Sequence, residues 1–156
     1  MSGSGEMRQH PERAIVRRVI DEGLADVAVD TNPLAIALGM RIVSASEGRV
    51  CMGYVVGAPF TQGNGFVQGG IISAMLDFGM VFAAFSQVSA ESSVTTVSQT
   101  TNYFRPVLAG ELFVEAELEK AGRMLINARA VLRDTSGKLQ ASATAPIAVI
   151  KNVAAT

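Results

Sequence analysis

The chain has 156 residues, 49% hydrophobic and 17% charged, enough to bury one sizeable core. Thirteen Lys and Arg against 14 Asp and Glu leave a net charge of -1, which argues against a general nucleic-acid binder. The single Cys51 excludes an internal disulfide, and the single His10 leaves neither a metal-ligand cluster nor a Ser-His-Asp or Cys-His arrangement, so no metal and no cofactor is expected.

Residues 1–10 are polar and rich in Ser and Gly, and read as a flexible tail with His10 solvated beside Pro11; residues 11–156 read as a single domain. No continuous apolar segment of the signal-peptide kind occurs at the N-terminus, and a cytoplasmic setting is expected. From Pro11 to Leu24 the residues Ile15, Val16, Val19, Ile20 and Leu24 recur at helical spacing, with Arg13, Arg17 and Arg18 expected on the solvated side. A second, short helix is expected from Thr31-Asn32-Pro33, a capping residue before a proline, to Gly39. Met40 to Ala45 and Arg49 to Val56 read as a hairpin about Ser46-Glu47-Gly48, and Gly57-Ala58-Pro59 opens a loop.

The stretch from Gln68 to Ser86 contains no Lys, Arg, Glu or Pro, and its only ionisable group is Asp77. It approaches the roughly 20 residues that cross a bilayer, but a carboxylate at the centre costs about 3 kcal/mol there, so a buried helix and no membrane contact are expected. Gly70, Ser73, Ala74, Asp77, Val81 and Ala84 fall on one helical stripe, small and slightly polar, suited to close approach by another helix or a ligand. Asp77 then reads either as a core Asp satisfied by backbone or hydroxyl groups, or as a working carboxylate. Gly69 and Gly70 open the helix, where free N–H groups at the positive end of the dipole can polarise a carbonyl oxygen.

After a polar connection at Ser89 to Ser93, Val94 to Phe104 reads as one strand ended by Arg105-Pro106. Leu112 to Glu119, Met124 to Leu132 and Leu139 to Val149 alternate with period two and are joined by turns at Lys120–Arg123 and Asp134–Gly137. Successive hairpins and one long helix imply an α+β fold in which a curved antiparallel sheet wraps the helix. Such a sheet leaves an edge open, and pairing two edges makes a homodimer.

The segment Thr-Gln-Gly-Asn-Gly-Phe-Val-Gln-Gly-Gly-Ile-Ile-Ser-Ala-Met-Leu-Asp, from Thr61 to Asp77, resembles the signature of the hotdog-fold acyl-CoA thioesterases, in particular the PaaI-like branch. The resemblance extends from about Leu34 to Val149. Members carry Asn or Gln, then His-Gly-Gly six residues later, then Asp or Glu eight residues after the first Gly. Gln62, Gly69 and Asp77 match those positions, and Gln68 stands where the His is usual.

The resemblance implies a hotdog fold and hydrolysis of an acyl-CoA. The Gly69 N–H would hold the thioester carbonyl, Gln62 would orient it or a water, and Asp77 of the partner subunit would attack or activate water. Gly69 and Asp77 are about 12 Å apart along one helix, too far to act on one carbonyl, so a shared site needs two antiparallel helices across a two-fold axis. A homodimer or a dimer of dimers is therefore expected. Gln68 and Gly70 would border the substrate, and Thr96 sits near where related proteins place a hydroxyl, although a β-branched strand residue explains it equally. Arg105 and Arg123 are candidates for the CoA phosphates or simply exposed arginines at turns. A hydratase or dehydratase of the same fold is disfavoured by the absence of His after His10. A non-catalytic acyl-CoA or acyl-carrier binding protein is the alternative that Gln68 favours.

Overall fold

The structure is a computed structural model that describes residues 9–151. Its elements run α1 (Pro11–Glu22), β1 (Val27–Ala28), α2 (Pro33–Ala37), β2 (Arg41–Ser46), β3 (Arg49–Val56), a 3-10 turn (Ala58–Phe60), α3 (Gly69–Phe85), β4 (Ser92–Thr96), β5 (Thr100–Tyr103), β6 (Gly110–Ala121), β7 (Leu125–Asp134) and β8 (Leu139–Lys151). The strands form one antiparallel sheet in the order β1-β2-β3-β6-β7-β8-β4, with β5 pairing β8 beside β4. Helix α3 touches β3, β4, β6, β7 and β8, and one helix reaches that many strands only where the sheet curves about it. The α+β expectation is met.

Small residues let α3 sit close to the sheet. Ala116, Ala130 and Ala143 form a continuous row across β6, β7 and β8 on the inner face, each 2% exposed. Opposite them, a Cβ on Gly79 would lie 2.6 Å from Val114 Cγ1 and 3.3 Å from the Ala116 Cβ. Glycine inside a helix costs about 1 kcal/mol against alanine, and here the missing side chain is what admits the sheet. The opposite face of α3 is less covered: Ile71, Ser73, Ala74, Asp77, Phe78 and Val81 are all half-buried.

Four expectations are corrected. His10 is not a solvated tail residue: it caps α1, accepting from the Glu12 N–H at 3.3 Å through Nδ1, and its ring lies 4.7 Å from that of Phe85. Residues 1–8 lie outside the described residues. Arg13 and Arg17 do not simply face water, because the Arg13 Nε donates to Val88 O at 2.8 Å and Arg17 donates to Ser86 O at 3.0 Å, tying α1 to the end of α3.

The expected single strand from Val94 to Phe104 is two. β4 pairs Thr96 with Ile147, β5 pairs Thr100 with Thr144, and the three residues between them face two on β8. The cause is Pro146. Its carbonyl accepts from Val97 N at 2.9 Å, so the N–H that proline lacks would have pointed to the same side, where the pairing now breaks into a bulge. Met124, expected in a strand, lies in the β6–β7 turn and is 81% exposed. No helix among the described residues is long and apolar enough to cross a membrane.

Candidate active site

The start of α3 is held from two sides. Val67 N donates to Val107 O at 2.8 Å and Gln68 N to Phe60 O at 2.9 Å, while Thr61 and Val67 bridge a small loop in which Gln62 N donates to Phe66 O at 2.7 Å. Gln68 occupies the N-cap position with φ -59° and ψ 135°, and its side chain makes no capping bond. Its carbonyl accepts from Ile71 N and Ile72 N at 3.0 and 3.1 Å. Gly69 N and Gly70 N, ahead of those two, have no acceptor among the described residues. A Cβ on Gly70 would meet nothing within 4 Å, whereas one on Gly69 would lie 3.6 Å from two ring carbons of Tyr103, so the open space is beside Gly70.

Gly69, Ser73 and Asp77 follow one another at four-residue spacing along the less covered face of α3, and β4 and β5 supply side chains to each. The Thr96 hydroxyl donates to Asp77 Oδ1 at 2.6 Å, which fixes the carboxylate and leaves Oδ2 without a partner among the described residues. The Tyr103 hydroxyl donates to Gly69 O at 3.0 Å, and Ser73 Oγ lies 2.6 Å from that hydroxyl and 3.2 Å from Thr101 Oγ1. Gln99 Nε2 donates to Ser73 O at 3.1 Å and to Thr101 Oγ1 at 2.9 Å. Beneath the helix, Tyr54 is fully buried and donates to Met75 O at 3.0 Å. Burial, and to a lesser degree the charge of Asp77, holds its phenol well above the ordinary value, so it stays neutral.

The residues singled out from the sequence divide accordingly. Gly69, Gly70, Asp77 and Thr96 are brought onto one surface; Gln62 and Gln68 are exposed in and after the loop that leads to it. Arg105 and Arg123 are not brought together. Arg105 donates to Leu139 O at 3.1 Å and, with Phe66, Leu108 and Lys138, lines a cavity of about 790 Å³ near the start of α3. Arg123 borders a smaller cleft of about 300 Å³ with Gln87 and Ser92 at the other end, roughly 25 Å away along the helix. A third cleft, of about 650 Å³ between Cys51, Glu117 and Arg129, is on the outer face of the sheet and shares no residue with the α3 surface. Tyr103, Thr101 and Gln99 were missed by the sequence reading.

Two free helix-start amides on one stripe with an oriented carboxylate is an arrangement suited to acyl transfer. The family model of the Thioesterase superfamily matches residues 64–141, from the loop before α3 into β8. The chain belongs to the thioesterase superfamily. A solved structure from Ralstonia eutropha JMP134, provisionally titled a thioesterase and phenylacetic acid degradation-related protein, is 31% identical, with 77% of this chain and 92% of that chain covered and a TM-score of 0.73. The PaaI protein of the E. coli phenylacetic acid degradation operon shares the fold at 21% identity, with 80% and 88% covered and a TM-score of 0.71. A Saccharolobus solfataricus protein provisionally named an esterase is 26% identical over 106 residues, 68% of this chain and 75% of that one. The thioesterase fold is thus the hotdog fold, in its PaaI-like branch, and the reaction class of the superfamily is thioester hydrolysis.

Proposed function

We propose that the protein hydrolyses an acyl-CoA to the free acid and CoA at a site shared between two copies of the chain. The observation that carries this reading is the pairing of unpartnered Gly69 and Gly70 amides with the Thr96-oriented carboxylate of Asp77 on one helix face. Along one helix the two features are about 12 Å apart, so a thioester held by one chain's amides needs the other chain's carboxylate. In an antiparallel pair, Gly69 of each helix faces Asp77 of the partner subunit, giving two equivalent sites.

The thioester carbonyl oxygen accepts from the Gly69 and Gly70 N–H groups, which stabilise the negative charge that grows as the carbonyl is attacked. The free oxygen of Asp77 either attacks the carbonyl carbon, expelling CoA thiolate and leaving an anhydride that water opens, or takes a proton from a water that attacks. Gln62 is near enough in sequence to the helix start to orient the carbonyl or that water through its amide. The phosphates of CoA would fall to Arg105 beside the helix start, with Arg123 reaching the same site only from the partner chain.

Mixing two inactive variants tests the shared site. Asp77→Asn and Gly69→Pro are each expected to lose at least about 100-fold in turnover, and a refolded equal mixture is expected to regain about a quarter of wild-type activity, because each mixed dimer rebuilds one intact site. No recovery in a mixture shown by sedimentation to contain mixed dimers, or an active monomer, would overturn it. A second reading, an acyl-CoA or acyl-carrier binding protein without turnover, draws on the unbonded Gln68 side chain at the motif's His position. Calorimetric binding of CoA without thiol release from any acyl-CoA would favour it.

A further inference from the structure

We propose that Tyr103 is a positioning residue for the helix-start amides, acting through the carbonyl of Gly69; the proposal rests on the functional reading above. The Gly69 carbonyl and the Gly70 N–H belong to one peptide plane, so a bond to the carbonyl sets the direction of the N–H. The Tyr103 hydroxyl donates to that carbonyl at 3.0 Å. The same hydroxyl lies 2.6 Å from Ser73 Oγ, whose own hydrogen is donated to Thr101 Oγ1 at 3.2 Å, so the tyrosine hydrogen sits between two acceptors, Gly69 O and Ser73 Oγ, and holds the carbonyl and the serine together.

A peptide between two glycines has the least side-chain restraint of any in a helix, and at the first turn it also lacks hydrogen-bonded neighbours on its N–H side. Tyr103 supplies the restraint from outside the helix. Its ring lies against Gly69, where an added Cβ would be 3.6 Å from two ring carbons, and its hydroxyl pins the carbonyl. Hydrogen bonding at the carbonyl also polarises the peptide and strengthens the N–H as a donor. Tyr103 itself is 51% exposed on an edge strand, where a hydroxyl bond adds little to stability. Its value therefore lies in aiming the amide.

Tyr103→Phe keeps the ring and removes the bond. Turnover of a thioester substrate is expected to fall about tenfold with KM changed less than about twofold, because the aimed amide acts mainly on the charge that develops during the reaction. The NMR order parameter of the Gly70 amide is expected to drop below the roughly 0.85 of a rigid backbone. Ser73→Ala removes the competing acceptor and leaves the tyrosine hydrogen to Gly69 O, so both readouts should stay at or above the wild-type level. An active enzyme in which Tyr103→Phe leaves kcat unchanged, or leaves Gly70 as rigid as before, overturns the proposal. A wild type that hydrolyses no thioester sinks the functional reading and the positioning role with it, and the Gly70 order parameter then still separates that result from a tyrosine that never held the peptide.

Discussion

The two ends of α3 are built in opposite ways. At the C-terminal end Ser86 Oγ donates to Ala83 O at 2.6 Å and accepts from Gly48 N at 2.7 Å, Gln87 N donates to Ala84 O at 3.0 Å, and the Arg17 guanidinium donates to Ser86 O at 3.0 Å, a positive charge at the negative end of the dipole. At the N-terminal end the first turn carries no acidic side chain, Gln68 caps nothing, and the Gly69 and Gly70 amides have no partner among the described residues. A missing cap costs about 1 kcal/mol of stability, and Ser, Asp or Asn at position 68 would have supplied one. One end is thus closed within the chain, and the other is held rigid from the loop side while its donors stay free for an oxygen that the chain does not provide.

That contrast predicts that substitutions at the two ends change different quantities. The largest effect is expected from Gly69→Pro. The backbone of Gln68, at φ -59° and ψ 135°, is already in the conformation that a residue before proline adopts, and proline is favoured at a helix's first position. The change therefore removes one N–H and little else. Turnover should fall at least about 100-fold, the range for losing one oxyanion donor, while the melting temperature stays within a few degrees, about 1 kcal/mol. A Gly69→Pro protein with wild-type turnover would show that this amide does not touch the reacting carbonyl.

Ser86→Ala should do the reverse. It removes the acceptor of the Gly48 N–H and the donor to Ala83 O at a residue only 3% exposed, so a loss of about 1 to 3 kcal/mol in stability is expected. Denaturant unfolding measures that loss, and kcat/KM below the transition should not move. A Ser86→Ala variant of full stability but lowered turnover would mean that the two ends of α3 are coupled and the contrast is false.

How much of this was legible in the sequence depends on whether the signal was local. The long helix, its small stripe through Ser73 and Asp77 and the alternation of β6 to β8 are written in periods of 3.6 and two, and the structure keeps them. Tyr103 and its neighbours were hidden by a non-local cause. In an unbroken strand Thr96 would face the opposite way from Gln99, Thr101 and Tyr103; the bulge across from Pro146 shifts the register by one and turns all four towards α3. The signal was a proline some fifty residues away, visible in the sequence but without meaning until the register of β8 is known. His10 was misread for the same reason, since only tertiary packing brings Phe85 beside it. The pairing of Gly69 with Asp77 as a site came from the family resemblance and from helix geometry together, and neither alone separates a core Asp from a working one.

The smallest effect is expected at Gln68, where the chain departs from the usual motif. Its side chain is exposed and makes no capping bond, so a substitution there breaks no contact within the described fold. A histidine could add a ring hydrogen bond near the helix start or take part in proton transfer, and glutamine can reproduce only the first because its amide does not titrate near neutral pH. The positive end of the helix dipole also disfavours an imidazolium at that position, which keeps such a histidine neutral and weakens it as an acid. With proton transfer assigned to Asp77 and carbonyl polarisation to the backbone amides, Gln68→His should alter turnover by less than about tenfold, or about 1.4 kcal/mol in barrier. The two proteins are to be compared on short, long and aromatic acyl-CoA substrates. A wild type inactive on all of them, beside a Gln68→His variant with strong turnover, would mean that the free amides and the oriented carboxylate do not suffice without the imidazole, and that the open end of α3 serves binding alone.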